Sequence, residues 1–558
     1  MRKKLFFVIL ACSVVVFTSF FSVPATSNQS IDASHISNPN ILNSNSIIYA
    51  NSQNNSSWLP VTTPDWPMIV STQKCLAFNV TSGVYHYREK INTVSGPQRV
   101  NVLSLNLANP NFDVVPFLSD NRLYSNDETL TSMAQNDSHV VAGINGDYFF
   151  GIGRFSISHG QPAHMLIING TMLQSPVQNN LGTLGIYANG TMSINTENFI
   201  GKITDQNISR QYPLIAINVV IPPLAGSQGG DAIQTGGLVL ATSAIGEPVP
   251  LGSNENVAYL SDIAGKNYSY TVTSVSNNVA SLPVLSTQQA ALVGRNTTAD
   301  QFIDNLSAGN IINATWSLDP ANNFEQAIGG GQLLDMNGEP VVSASTPTPV
   351  HAVTAVGLSK NGKQAFFVVF DGIQPSIGLG ITHIEIAEYM LQLGAYSAML
   401  FDTGGSSEMI ARLPGQTNVS VVNSPSDLSQ RMLAEGIFIC SKEVSPSPAS
   451  HVVVNNGTPL TMLANTSEPV SVYALDSLCN PASNSVSLSV SPSTLASVSG
   501  DQLTAGNAAG SGTLTATAFD GVSSHVPLYV VKDLKGLVVS PNDTSLPLTS
   551  AIADTLNC

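Results

Sequence analysis

Charge is scarce in this chain: Asp, Glu, Lys and Arg make up 10% of its 558 residues, with 20 basic against 36 acidic side chains and a formal net charge of −16. A phosphate-rich polymer is repelled by such a surface, so nucleic acid is excluded as a partner. Cysteine is sparse too. Beyond Cys12 there are Cys75, Cys440, Cys479 and Cys558, too scattered for a disulfide scaffold or a zinc site, which leaves one or two bridges or free thiols open. No ligand spacing demands a metal, and no cofactor is expected. Long apolar runs are missing after the N-terminus, so no later segment reads as a membrane-spanning helix. What is present is 43% hydrophobic residues, ample for the cores of two or three domains.

The N-terminus carries Met1-Arg2-Lys3-Lys4, the apolar run Leu5 to Phe21 and a small-residue site at Val23-Pro24-Ala25. That pattern predicts a signal peptide over residues 1–25 and a secreted or cell-surface protein. Cys12 lies inside the apolar run, which argues against a lipoprotein box. Residues 26–65 read as a Ser/Asn-rich linker. Sequons at Asn79, Asn169, Asn189, Asn267, Asn296, Asn313 and Asn418 would accept glycans in a host that attaches them.

The informative stretch runs from His351 to Ala411. Ala365 to Phe370 is continuously apolar, as in a strand buried on both faces, and breaks at Asp371-Gly372. Thr382-His383-Ile384-Glu385 is a capping box, Ile384, Ala387, Met390 and Leu391 follow at helical spacing, and Gly394 supplies a left-handed stop. Ser397 to Phe401 forms a second apolar strand ending at Asp402. This strand, helix, strand unit predicts parallel strands with Asp371 and Asp402 at one sheet edge, where open sheets place ligands.

These blocks, with AGINGDYFF (Ala142 to Phe150), AIGGGQLLDMNGEPV (Ala327 to Val341), TAVGLSKNGK, FDTGGSSEMI and NSPSDLSQRMLAEGIFI (Asn423 to Ile439), resemble the phosphodiester glycosidase family. The resemblance implies cleavage of a sugar attached through a phosphodiester, as members do when they remove N-acetylglucosamine from a mannose phosphate. It departs at two positions. Val353 stands where the family usually has arginine, a natural phosphate partner, and Thr403 replaces one glycine of its Asp-Gly-Gly-Gly-Ser-Ser loop.

Glycosidic cleavage uses carboxyl groups, and a phosphate leaving group lowers the demand for a strong acid. Asp402 and Asp147, each after an apolar strand, are therefore the leading catalytic pair, with Asp371 third and a turn-capping role as the alternative for each. Gly404, Gly405, Ser406 and Ser407 are expected to hold sugar hydroxyls or phosphate oxygens. Gly330 and Gly331 offer backbone amides, Asn145 and Asn423 offer ligand contacts, and Arg431 is an alternative phosphate partner. Glu385 is assigned to the capping box. His159 and His164, in SHGQPAHM, read more simply as polar surface residues. A pepsin-like reading of Phe401-Asp402-Thr403-Gly404 fails because no second Asp-Thr/Ser-Gly occurs.

The rest of the chain adds strands. Val100 to Leu107 alternates and is expected to pair with Phe112 to Phe117, Val140 to Ile144 leads into Asn145-Gly146-Asp147, and Leu184 to Ile194 is a hairpin about Asn189-Gly190. Thr271 to Thr287 and Ile311 to Leu318 are further strands, with a short helix near Ala299 to Leu306. The expected fold is α+β, a strand-rich mixed sheet core over residues 66–441. A linker at 442–450, an all-β sandwich at 451–531 resembling bacterial immunoglobulin-like modules, and a tail at 532–558 complete the chain. The functional expectation is a secreted glycoside hydrolase acting on a carbohydrate or sugar-phosphate, with surface-glycan contact through the module. The rival is a catalytically impaired family member that binds cell-surface glycans.

Overall fold

The computed structural model describes residues 69–532 except 125–126, 151–159, 177–180, 220–236, 295–296, 321–322, 343–349, 444–446 and 483–484, together with the pairs 48–49 and 59–60. The signal peptide, most of the 26–65 linker, His159, Asn296 and the tail after Lys532 lie outside these residues. Ten elements position the site: β1 (Phe112–Leu118), β2 (Val140–Asn145), β3 (Gly182–Tyr187), β4 (Phe324–Gly329), β5 (Val353–Ser359), β6 (Gln364–Phe370), α1 (His383–Leu393), β7 (Ala395–Leu400), β8 (Met409–Arg412) and β9 (Glu435–Ser441).

Three sheets share one core. An eight-stranded sheet runs in the order Glu339–Pro340, Leu333–Met336, β7, β5, β6, Gly96–Asn106, Val84–Thr93, Ile69–Thr81. A five-stranded sheet is ordered Val419–Val421, β8, β2, β9, β1, and a second is ordered Thr171–Gln174, Leu166–Ile168, β4, β3, Met192–Thr196. Leu103, Val356 and Phe367 of the first sheet, with Phe401 just past β7, meet Ile144, Met409 and Ile437 of the second and Leu184 and Ile328 of the third in a single apolar cluster. Side chains on alternate positions of the eight-stranded sheet face the other way, where Val353, Val368 and Phe370 pack under Ile386, Ala387 and Met390 of α1.

The helix forms as expected. Glu385 accepts the amide and hydroxyl of Thr382, closing the capping box, and Gly394 ends the helix at φ 96°. Strands β6 and β7 do run parallel, but they are not neighbours. β5 lies between them and pairs antiparallel with both, which the crossover reading passed over. A second expectation is overturned: Phe112 to Phe117 does not pair with Val100 to Leu107. The former pairs with β9 in the five-stranded sheet, the latter with β6 and Val84–Thr93. Alternation identifies a strand's buried face but carries no information about which distant strand completes its ladder.

Between Met192–Thr196 and β4 the chain departs into a closed seven-stranded barrel built from residues 198–319, with Thr297–Asp304 as a helix against it. Its first and last strands are hydrogen-bonded neighbours, Asn198 opposite Asp319. Residues from Ala449 to Val530 form a separate apolar core of short strands. That module is clamped to the sheets: Arg412 Nη2 donates to Val80 O (3.2 Å) and Cys479 O (3.3 Å), and Thr81 Oγ1 donates to Leu478 O (2.9 Å). The described residues of the expected 442–450 linker are bonded in as well, Ser447 to Asp476 and Ser450 to Leu475. Cys440 and Cys479 are free thiols. No helix among the described residues is long and apolar enough to cross a membrane.

Candidate active site

The site forms where the ends of two sheets meet. β7 leaves its sheet at Phe401, whose amide donates to Thr354 O (2.9 Å), and the next amide, of Asp402, donates across to Gly146 O (3.0 Å) just beyond β2. Asn145 locks this junction. Its Oδ1 accepts Thr354 Oγ1 (2.6 Å) and the Glu408 amide (3.1 Å), and its Nδ2 donates to Asp402 O (2.9 Å). The Asn145 side chain, expected as a ligand contact, is buried here and bonded to the Thr354 hydroxyl and to backbone groups, because three strand ends converge on it.

Asp402 and Asp147 are brought together. The Asp402 carboxyl accepts the Thr403 amide (2.7 Å) and a bond from Ser406. Burial pushes its pKa up to about 6, against the pull of Ser406, the Thr403 amide and Arg431, and the nearby Asp147 charge adds to the rise. Tyr148 stands by both carboxylates, its hydroxyl bonded to Thr403, and burial followed by the Asp402 charge holds its pKa well above the usual phenol range.

The two aspartates are not equivalent. Both are buried, but Asp402 keeps 9% exposure against 3% for Asp147, whose side chain has none. Asp147 Oδ1 accepts the Tyr148 amide (2.7 Å) and His164 Nδ1 (2.7 Å), and its Oδ2 accepts the His164 amide (2.7 Å). With the carboxylate accepting, His164 carries its hydrogen on Nδ1, and its Nε2 has no partner among the described residues. The Asp147 amide donates to Glu435 Oε1 (3.2 Å), and burial plus the Asp147 charge raises the Glu435 pKa well above the carboxylate range. Glu408, on the adjacent strand end, is pushed up by burial to about 8.

Asp371 sits at the same sheet edge but is engaged elsewhere. Its side chain is fully buried, Oδ2 accepts Arg99 Nε (2.6 Å), and Oδ1 accepts the Ser424 amide (2.7 Å) and Asn423 Nδ2 (3.2 Å). Burial raises its pKa and Arg99 opposes the rise. Asn423 also donates to Ser407 O and accepts the Met409 amide, so the half-buried side chain fastens loops together.

Gly330 and Gly331 are likewise buried and serve close packing. A Cβ on Gly330 would lie 2.6 Å from Leu400 O, and the Gly331 amide is spent on that same oxygen (2.8 Å). Gly404 does have an open side and takes φ +68°, a conformation glycine adopts at no cost. Gly405 is needed differently: a Cβ there would collide with the Arg431 guanidinium and the Asp427 carboxylate. Ser406 is buried and accepts Arg431 Nη1 (3.2 Å), while the Ser407 hydroxyl has no partner among the described residues. Arg431 is half-exposed and already pairs with Asp427 (2.8 Å).

The two departures from the family pattern acquire physical meaning. Val353 faces the apolar layer under α1, while its neighbour Thr354 faces the junction. Thr403 has extended backbone, φ −124° and ψ −179°, which a β-branched residue accommodates, and its side chain meets Tyr148.

Tyr148, Glu408 and Glu435 were not singled out from sequence, and His164 was set aside. The histidine pair His351 and His383 also went unremarked, with ring centroids 6.1 Å apart beside Gln332. Burial lowers the His383 pKa to about 4, helped by His351. For Glu435 the readable signal was an acid opening an otherwise apolar strand, as with Asp402 at a strand's close.

No curated protein matches the chain. Among solved structures, a hypothetical protein from Synechocystis superposes with a TM-score of 0.52 at 19% identity, covering 68% of this chain and 64% of that one, so the chain spans under two thirds of that relative's length. The zebrafish N-acetylglucosamine-1-phosphodiester alpha-N-acetylglucosaminidase catalytic domain, auto-inhibited by its pro-peptide, aligns at 14% identity over 67% of this chain and 89% of that one, with a TM-score of 0.32. Residues 263–440, less than half of the chain, match the model of the phosphodiester glycosidase family; the match runs from before β4 into β9 and takes in Asp402, Glu408, Arg431 and Glu435.

Proposed function

We propose that the protein is an exported hydrolase of glycosyl phosphodiesters with Asp402 as its reacting carboxylate. The observation that carries this reading is a buried carboxyl with a pKa near 6, the more exposed residue of the converging aspartate pair, set between a cation, a serine and a second buried acid. Water adds to the anomeric carbon as the bond from that carbon to the phosphate oxygen breaks. Asp402 takes the water's proton, and the phosphate leaves as an anion without needing a strong acid. Arg431, which can exchange its Asp427 partner for a phosphate oxygen, stabilises the departing charge together with Ser406. Asp147 acts as a positioning residue: its carboxylate is sealed from solvent, holds His164 and keeps Asp402's pKa up. Asp371 braces the neighbouring loops through Arg99 and Ser424. Export follows from the N-terminal pattern, and the immunoglobulin-like module is assigned to surface-glycan contact.

The test is release of reducing sugar from a methyl phosphodiester of N-acetylglucosamine 1-phosphate by the full-length protein. Turnover by the wild type and its loss in Asp402→Asn support the proposal. A wild type without turnover refutes it. A second reading, a non-catalytic glycan-binding protein, is favoured by the prior engagement of Arg431 with Asp427, and predicts sugar binding that Asp402→Asn leaves intact with no turnover in either protein.

A further inference from the structure

We infer that the cleft between the β3 hairpin and the start of β1 is a second carbohydrate site, separate from the catalytic residues and taking a neutral pyranose oligosaccharide. The cleft encloses about 560 Å³, within the range of small-ligand sites. It lies at the far ends of two strands whose other ends approach the catalytic residues. On β4, Glu325 and Gln326 line the cleft while Gly329 lies against His164 and Asp147. On β1, Phe112 to Val115 line it while Leu118 pairs with Glu435. Three or four residues at about 3.3 Å each separate the two places by roughly 10 to 13 Å along β4.

The lining has the chemistry that hydroxyl-rich rings require. Gln326, 6% exposed, donates from Nε2 to Asn169 Oδ1 (2.9 Å) and accepts the Asn169 amide (3.1 Å), a ladder that fixes the Asn169 side chain and leaves its Nδ2 uncommitted among the described residues. Asn189 is fixed in the same manner, its Oδ1 bonded to the Thr191 amide and hydroxyl, with Nδ2 left over. The exposed Glu325 carboxylate carries no hydrogen bond or ion pair among the described residues. Amide donors beside a carboxylate acceptor match vicinal hydroxyls, each of which both donates and accepts. Tyr187 supplies a half-buried ring braced at 5.1 Å by Phe324, a rigid platform for the C–H face of a sugar.

Charge narrows the class. The one cation of the lining, Lys442, is already paired with Asp113 (3.1 Å), so the lining carries a net negative charge and disfavours phosphate or sulfate groups.

The test uses the full-length protein and three N-acetylated or neutral trisaccharides, chitotriose, cellotriose and mannotriose, titrated by calorimetry and saturation-transfer NMR. At least one is expected to bind in the millimolar range, equally in wild type and Asp402→Asn, and about tenfold more weakly in Tyr187→Ala and in Glu325→Gln. Glu325 is exposed, so Glu325→Gln keeps the fold should Tyr187→Ala lose it. Failure of all three sugars to bind overturns the inference, as does binding that survives both cleft variants or disappears in Asp402→Asn. A catalytically inactive protein that binds as expected would sink the hydrolase reading and leave this one standing.

Discussion

Replacing Asp402 by Asn should stabilise the protein while abolishing turnover. Burial raises the Asp402 pKa from 3.8 to about 6, so the native state holds a proton that the unfolded chain has released across that window. Stability therefore falls as pH rises from about 4 to about 6 and is flat above, because the unfolded state binds fewer protons there. At about 1.4 kcal/mol per tenfold change in proton affinity, keeping Asp402 ionised in the fold at neutral pH costs about 3 kcal/mol. Asparagine removes that cost. Its Oδ1 still accepts the Thr403 amide and its Nδ2 can meet Ser406, so the lost bonding is small. Equilibrium unfolding in urea should show Asp402→Asn more stable than wild type by about 2 to 3 kcal/mol near pH 7.5 and nearly equal near pH 4. A variant less stable at neutral pH, or a difference that does not vary with pH, would refute the reasoning.

Four further outcomes follow from the same geometry. If Asp402 works as a base, kcat/KM for the phosphodiester should rise through about pH 6, which a pH profile checks against a flat line. Gly405→Ala should raise KM several-fold with the melting temperature kept, because the new methyl displaces the flexible Arg431 side chain and not backbone. Glu385→Ala should cost about 2 to 4 kcal/mol, since the carboxylate, 1% exposed, accepts amide and hydroxyl from both Thr382 and Ser95. Burial alone would raise the Glu385 pKa, but those bonds bring it below 4.5, so the loss should be complete at neutral pH and shrink as acid titrates the wild-type carboxylate. Arg412→Ala should loosen the C-terminal module, seen as faster proteolysis near Leu478, by removing its bonds to Val80 O and Cys479 O.

What could be read in advance was local. The capping box at Thr382 to Glu385, the Gly394 stop and the Asn189-Gly190 hairpin depend on residues a few positions apart, and each is where its chemistry puts it. Asp402 and Asp147 could be picked out because each follows an apolar strand. Their unequal burial could not be read, since that of Asp147 depends on His164 and Glu435 arriving from other segments. The antiparallel β5 between β6 and β7, the pairing of β1 with β9 and the closure of residues 198–319 into a barrel are all long-range ladders, which hydrophobic alternation leaves undetermined. The glycines of Gly329 to Gly331 misled because tight packing and ligand access both call for the missing Cβ.

The pairing of Asn198 with Asp319 means that the barrel's entrance and exit are one doorway. Insertions or deletions inside it are absorbed before the chain returns to β4, so that excursion can lengthen, shrink or acquire new surface in related chains while the spacing between Gly329 and Asp147 stays the same.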